Sequence, residues 1–419
     1  MLADAIKLEE DGHADGGSGP RCGLPCYKSY DPNRMATLPL RAVLAPDDAL
    51  PCWAVEPGRR PLVVTKPGAR PCASMKIHFP FGKTNLGHFS QGLFWWWSML
   101  RWRKQVGADI VSRLVDAPVV IRHFLHNAHD DTRDKYEFPW AHTMLSVVAD
   151  FASRALNDTV NNGTGDACFV LNSPASSGYP KAETQWFAHP LDAASLADVA
   201  RVGLGLSSLL TCSAVCRNMS VGKRRIFIYR REHKRMSRRI SNAHELKEGL
   251  LRDLPRAVAA AANRTRSTVG RLEADVQVGD FEKRGLRPQV EEMADADVYV
   301  GTHGSESANT VFQRPCAAFV HLMPHGVRMM GHDGNLAAEA GRLYYPWCEH
   351  QDSHWLNSPL GEPGYPCDLA VGAPTTPQKF PTTFHASVDE VIRLVAHALV
   401  MQSQCLARLC GRDCPSRVH

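Results

Sequence analysis

Gly301-Thr-His-Gly304 is a tight connection between a β-branched and aromatic run, Asp297-Val-Tyr-Val300, and a segment, Ser305 to Phe312, that can wind as two helical turns before Arg314-Pro315 stops them. Ala317-Ala-Phe-Val-His-Leu322 then reads as a second buried strand. The unit is β-loop-α-β, the building block of a parallel sheet. Ligands of such sheets sit beyond the carboxyl ends of the strands, so Gly301 to Ser307 falls where one would be held. The glycines let the backbone approach closely, and the amides of Gly304 and Ser305, at the start of the helical segment, have no intrahelical partners and suit a phosphate. His303 points into the same space. Tight packing between strand and helix is the competing explanation of a G-x-H-G turn.

A second chemical stretch is Lys223 to Arg239, which gathers basic residues around the apolar strand Ile226-Phe-Ile-Tyr229 and places Arg230 and Arg231 just after it. It is either a solvated strand edge or a seat for phosphates, since guanidinium groups and amides stabilise developing negative charge without a metal. Asp295-Ala-Asp297 has the letters of a D-x-D metal motif. It precedes its strand, remote from the loop, and reads as a solvated turn or helix-end pair, so no metal is expected. As proton acceptor His88, His78 and Glu306 compete, a histidine having the nearest ordinary pKa to neutral. His303 stands with His88 and Glu306 as a candidate catalytic residue. His303-Gly-Ser-Glu-Ser307 lacks the G-x-S-x-G elbow of a serine hydrolase. Trp95-Trp-Trp97 cannot all face one side of a helix over Gln91 to Gln105, so they divide between core packing and a sugar-stacking platform.

The first stretch resembles the carboxyl-terminal signature of glycosyltransferase family 61. The matching positions are Gln289, Asp297, Val300, Gly301, His303, Gly304, Asn309, Phe312, Pro315 and Pro324. Arg224-Arg-Ile-Phe-Ile-Tyr-Arg-Arg231, followed by Arg238-Arg-Ile-Ser-Asn242 and Glu245, is similar to the family's strand ending in Arg and its Arg-hydrophobic-x-Asn-x-x-Glu helix start. Asn85-Leu-Gly-His88 resembles its Asn-x-x-His. The resemblance runs from Asn85 to Pro324 and implies a GT-B-like fold, two wound, Rossmann-like α/β domains facing across a cleft, with metal-independent chemistry. It also implies inverting transfer of a sugar from a UDP-sugar to a protein-linked glycan, a protein hydroxyl or a polysaccharide. Donor contacts would fall to Arg230, Arg231, Gly301, His303, Gly304, Ser305 and Asn309, with Asn85, Trp95 and the base His88 on the acceptor side. Ser305-Glu306-Ser307 departs from the small, apolar run usual after His-Gly. Glu306 therefore either crowds a diphosphate or serves the acceptor, and a catalytically silent glycan- or nucleotide-binding relative is the alternative reading.

Composition bounds these readings. The 419 residues are 44% hydrophobic and 22% charged, enough to bury two ordinary cores. A formal net charge of +5 and the absence of nucleic-acid motifs predict no nucleic-acid partner. The 13 cysteines include Cys212-x3-Cys216 and Cys410-x3-Cys414, spacings wrong for a zinc ribbon, and point to structural thiols or disulfides. With sequons at Asn157, Asn162, Asn218 and Asn263 they suit a lumenal, oxidising compartment, which the family resemblance implies is the endoplasmic reticulum or Golgi. The first ten residues are no signal peptide and no run spans a bilayer, so a further amino-terminal segment is expected from the family's usual delivery.

The elements that must position these residues follow from periodicity. A flexible segment is expected over 1–40, an acceptor-side domain over 41–216, a nucleotide-sugar domain over 217–400 and a cysteine-containing tail over 401–419. Strands are expected at Met75 to Phe79, Ala117 to Phe124 and Ala167 to Leu171, and helices at Ala141 to Leu156, Leu191 to Cys216 and Leu286 to Ala294. Asn242-x-x-Glu245 and Ser387-x-x-Glu390 read as capping boxes, opening helices to about Leu254 and Val400.

Overall fold

The computed structural model of the chain describes strand backbone at 63–64, 74–78, 119–122 and 167–170, a few residues between 90 and 187, and most of 190–208, 223–231, 238–281, 284–324, 333–348 and 383–410. The elements in chain order are β1 (Val63–Val64), β2 (Ser74–His78), β3 (Val119–Arg122), β4 (Ala167–Val170), α1 (Pro190–Gly203), β5 (Lys223–Tyr229), β6 (Arg239–Ile240), α2 (Ala243–Thr265), β7 (Glu273–Gly279), α3 (Leu286–Asp295), β8 (Val298–Thr302), a 3-10 helix (Ser305–Phe312), β9 (Ala318–Met323), β10 (Leu343–Cys348), β11 (Thr383–Phe384) and α4 (Val388–Arg408). The fold is mixed α/β. Its larger sheet is parallel throughout, in the order β10-β9-β8-β5-β7. A smaller sheet is ordered β1-β4-β2-β3, parallel except for β1 against β4.

The period of two along each strand decides which core a side chain enters. Ile226, Ile228, Val298, Val300, Ala318, Val320 and Leu322 face one layer, with Leu246, Leu250 and Leu254 of α2 and Val391, Ile392 and Val395 of α4. Phe227, Tyr229, Tyr299 and Phe319 face the other, against Val290 and Met293 of α3, Leu196 of α1, and Phe94, Trp97 and Trp186 from the amino-terminal half. Trp97 is therefore core; Trp95 and Trp96 lie outside the described residues. Burial of β5 between β7 and β8 also removes the solvated-edge reading of the basic stretch.

Several boundaries differ from expectation for identifiable reasons. α1 ends at Gly203, with Leu204 and Leu206 closing the turn on Ala200 and Arg201, rather than continuing to Cys216. α2 passes through Pro255 instead of stopping at Leu254: the proline lies on the exposed face, where water can take up the carbonyl it frees. Asn242 makes no side-chain cap bond. Its Nδ2 donates to Ala386 O at 2.8 Å while Ala386 N donates to its Oδ1 at 3.1 Å, so it links the start of α2 to the segment before α4. Gly249 allows the two helices to touch, since a Cβ there would meet Val388 Cγ1 at 2.5 Å. A disulfide between Cys316 and Cys405 ties the entry of β9 to the end of α4. Among the described residues no helix is long and apolar enough to cross a membrane.

Candidate functional site

The chain leaves β5, forms β7 on one side of it, then crosses back to place β8 on the other side. The gap between the carboxyl ends of β5 and β8 is therefore the point where the winding reverses, the usual ligand crevice of an open parallel sheet. Arg230 and Arg231 follow β5, and His303 and Gly304 follow β8, so the two stretches singled out in sequence converge there.

Arg231 and Glu306 form a buried ion pair. Arg231 Nε donates to Glu306 Oε1 at 2.8 Å and Nη2 donates to the same oxygen at 2.5 Å, with side-chain exposures of 4% and 9%. Arg231 Nη2 also donates to His303 O at 3.4 Å. Burial lowers the Arg231 pKa, but Glu306, with the phenols of Tyr229 and Tyr299, more than offsets it and holds the guanidinium above its ordinary value. The pair fills the flank of Gly304: a Cβ there would stand 1.7 Å from Arg231 Nη2 and 2.6 Å from both carboxylate oxygens. Gly301 is held small by Tyr299, whose ring would lie 2.6 Å from an added Cβ and whose pKa burial pushes well above its ordinary value.

On the other flank, His303 Nδ1 donates to Asp333 Oδ2 at 2.5 Å and Ser307 Oγ donates to Asp333 Oδ1 at 2.6 Å. His321 of β9 approaches the same carboxylate, its Nε2 3.3 Å from Oδ2, and its Nδ1 is 2.7 Å from Tyr344 OH on β10. Arg230 is more open, with Nη1 donating to His244 Nε2 at 2.8 Å. Arg238, in the left-handed region at φ 71°, stands within electrostatic reach of Arg231, Glu306 and Asp333, and burial, then Arg231, lowers its pKa.

The segment from Ser305 to Phe312 is a 3-10 helix, not two α-turns; Ser307 Oγ donates to Gly304 O at 2.7 Å and competes with the α-helical ladder. Arg342 closes its far end, Nη2 donating to Val311 O at 3.0 Å, and burial lowers the Arg342 pKa. Asn309 is wholly buried and donates to Gln289 Oε1 at 2.8 Å, joining the 3-10 helix to α3. Asp297 is not solvated: Arg225 N donates to Oδ2 at 2.9 Å and Arg314 Nη2 donates to Oδ1 at 2.9 Å, at the end of β8 remote from the loop. Asp295 alone of that pair is exposed, beside Arg225. Asn85, His88 and Trp95 lie outside the described residues, as do the sequons at Asn157, Asn162 and Asn218, whereas Asn263 is exposed on α2. His78 ends β2, opposite Arg122 in register.

A profile of the family "Glycosyltransferase 61" matches residues 109–320, just over half of the chain. The chain belongs to glycosyltransferase family 61. The match ends one residue before His321 and does not include Asp333 or Tyr344. None of the curated protein sequences matches the chain. Among solved structures, a metal-soaked flavodiiron core from Synechocystis is 10% identical, with a TM-score of 0.24 over 68% of this chain and 54% of that one. This chain thus spans about half the length of that structure. The iron-containing dodecameric glycosyltransferase TibC from enterotoxigenic E. coli is 12% identical, with a TM-score of 0.27 over 85% of this chain and 83% of that one. Likenesses this distant carry nothing about the chemistry here. Family membership supports glycosyltransferase activity.

Proposed function

We propose that the chain is an inverting, UDP-sugar-dependent glycosyltransferase acting on a glycan or glycoprotein hydroxyl in the lumen of the endoplasmic reticulum or Golgi. The observation that carries this reading is the convergence of two family motifs, Arg230-Arg231 and His303-Gly304, on the crevice between β5 and β8. The diphosphate would lie along the loop from Gly301 to Ser305, with Arg230, less buried than Arg231, as a cation beside it, while an acceptor-side domain in a GT-B arrangement presents the hydroxyl from across the cleft. Inversion requires a base on the acceptor side that takes the hydroxyl proton as oxygen attacks the anomeric carbon and UDP departs. His88 is the histidine proposed for proton transfer, with His303 beside the diphosphate, and the D-x-D letters are assigned no metal because Asp297 is held by arginines.

A silent binding relative is favoured by one observation, the commitment of Arg231 to Glu306. A thermal-shift panel of nucleotide sugars separates the occupied site from an inert one. Stabilisation by UDP and one UDP-sugar is expected, with Arg230→Ala weakening UDP about tenfold, the worth of one charge-assisted hydrogen bond. No shift by any uridine nucleotide would remove the donor assignment.

A further inference from the structure

His303, His321 and Asp333 each offer a ligand atom within 4.8 Å of the others, and all three are buried, at 7%, 0% and 0% exposure. They come from three separate segments: the loop after β8, the middle of β9 and the return towards β10. Sheet register brings the first two together, because His321 pairs with Gly301, two residues before His303. From this convergence we propose that the cluster is a divalent-cation site, built to take a borderline metal such as Zn2+ between two imidazoles and one carboxylate.

The donor set has the right chemistry and charge. Two neutral imidazoles and one carboxylate leave a divalent ion partly uncompensated, as in metal sites that keep a position for an external ligand. The outer contacts are also those of a metal centre. Tyr344 OH engages Nδ1 of His321, leaving Nε2 towards Asp333, and Ser307 Oγ holds Oδ1 of Asp333 while Oδ2 faces both rings. Such partners fix ring orientation and carboxylate rotation. The distances need little change. With metal-ligand bonds of about 2.1 Å, tetrahedral ligand atoms stand about 3.4 Å apart. His321 Nε2 and Asp333 Oδ2 are already 3.3 Å apart. His303 Nδ1, at 2.5 Å from Oδ2, must withdraw by about 0.9 Å as the ion takes the place of its proton and the ring changes to the Nε2–H tautomer.

The proposal deepens the donor-site reading and rests on it for one detail. His303 belongs to the loop proposed to carry the diphosphate, so a diphosphate oxygen is the external ligand that reading supplies. The cation itself is tested without any nucleotide. The full chain, stripped with a chelator and dialysed, is titrated calorimetrically with ZnCl2 and, separately, MnCl2. One tight Zn2+ site is expected, weakened at least 100-fold by Asp333→Asn and by His321→Gln, and at least tenfold by Tyr344→Phe, the usual effect of losing an outer partner. Absence of binding to the unaltered chain would overturn the proposal. So would binding that survives Asp333→Asn, since it belongs to other donors. Should Asp333→Asn and His321→Gln fail to fold by circular dichroism, Tyr344→Phe decides: tenfold weaker binding supports the site and unchanged affinity refutes it. Sugar transfer without zinc binding would remove the cation and leave the transferase reading intact.

Discussion

Glu306 is the residue on which sequence and structure bear most differently. Read from the chain, its carboxylate is an obstruction to phosphate or an acceptor-side base; in the structure it is the buried counter-ion of Arg231. Removing one member of such a pair strands the other charge away from water, which costs about 3 to 5 kcal/mol. Glu306→Ala and Arg231→Ala are each expected to lower unfolding stability by that order, measured by urea denaturation. The double variant Arg231→Met with Glu306→Leu should be less destabilised than the two losses added together, because neither charge is then left alone. Additive losses would show that the pair is not coupled. Gly301 gives a second residue-scale test. A methyl group there meets the Tyr299 ring, so Gly301→Ala should cost about 1 to 3 kcal/mol by overpacking, and Tyr299→Leu in the same chain should recover part of it.

At the scale of elements, Asn242 shows why motif letters and contacts diverge. Asn-x-x-Glu has the spacing of a capping box, but the amide finds a better partner in the backbone of Ala386, which no local pattern reveals. Asn242→Ala should therefore lose its two hydrogen bonds with Ala386 and the contact of Nδ2 with His385 Nε2, together about 2 kcal/mol, loosening the join of α2 with α4 rather than fraying α2 alone. Hydrogen exchange distinguishes these, through lost protection at the start of α4. The strands β2 to β5, β8 and β9, with α3, were legible because a period of two or 3.6 is written locally, whereas β7 and β10 were not among the expected strands. The basic stretch was legible only in part. Its residues look like one patch, but β5 carries its two ends about 20 Å apart. Arg224 and Arg225 meet acids at the amino end, and Arg230 and Arg231 reach the crevice. Asp333, His321 and Tyr344 carried no signal that could unite them, since their meeting depends on the pairing of β8, β9 and β10. His332-Asp333-Gly334 in a glycine-rich stretch is the one local hint.

For the whole molecule, the parallel sheet is clamped by long-range ties that a window along the sequence cannot see. Cys316 and Cys405 are separated by 89 residues, and closing a loop of that size removes about 4.6 kcal/mol of chain entropy from the unfolded state. Cys405→Ser is expected to lower stability by that order and to leave the far-ultraviolet spectrum unchanged at low temperature; an unshifted denaturation midpoint would mean the bridge contributes nothing. Family membership and the crevice between β5 and β8 meet in a single claim, that this chain uses a nucleotide sugar as donor there. UDP release from a panel of UDP-sugars, with and without a glycan array as acceptor, measures it directly. Acceptor-dependent release from one donor, lost in His303→Ala and retained in a surface control such as Arg252→Ala, is the expected result. Release from no donor in the panel, or release undiminished by His303→Ala, would contradict it.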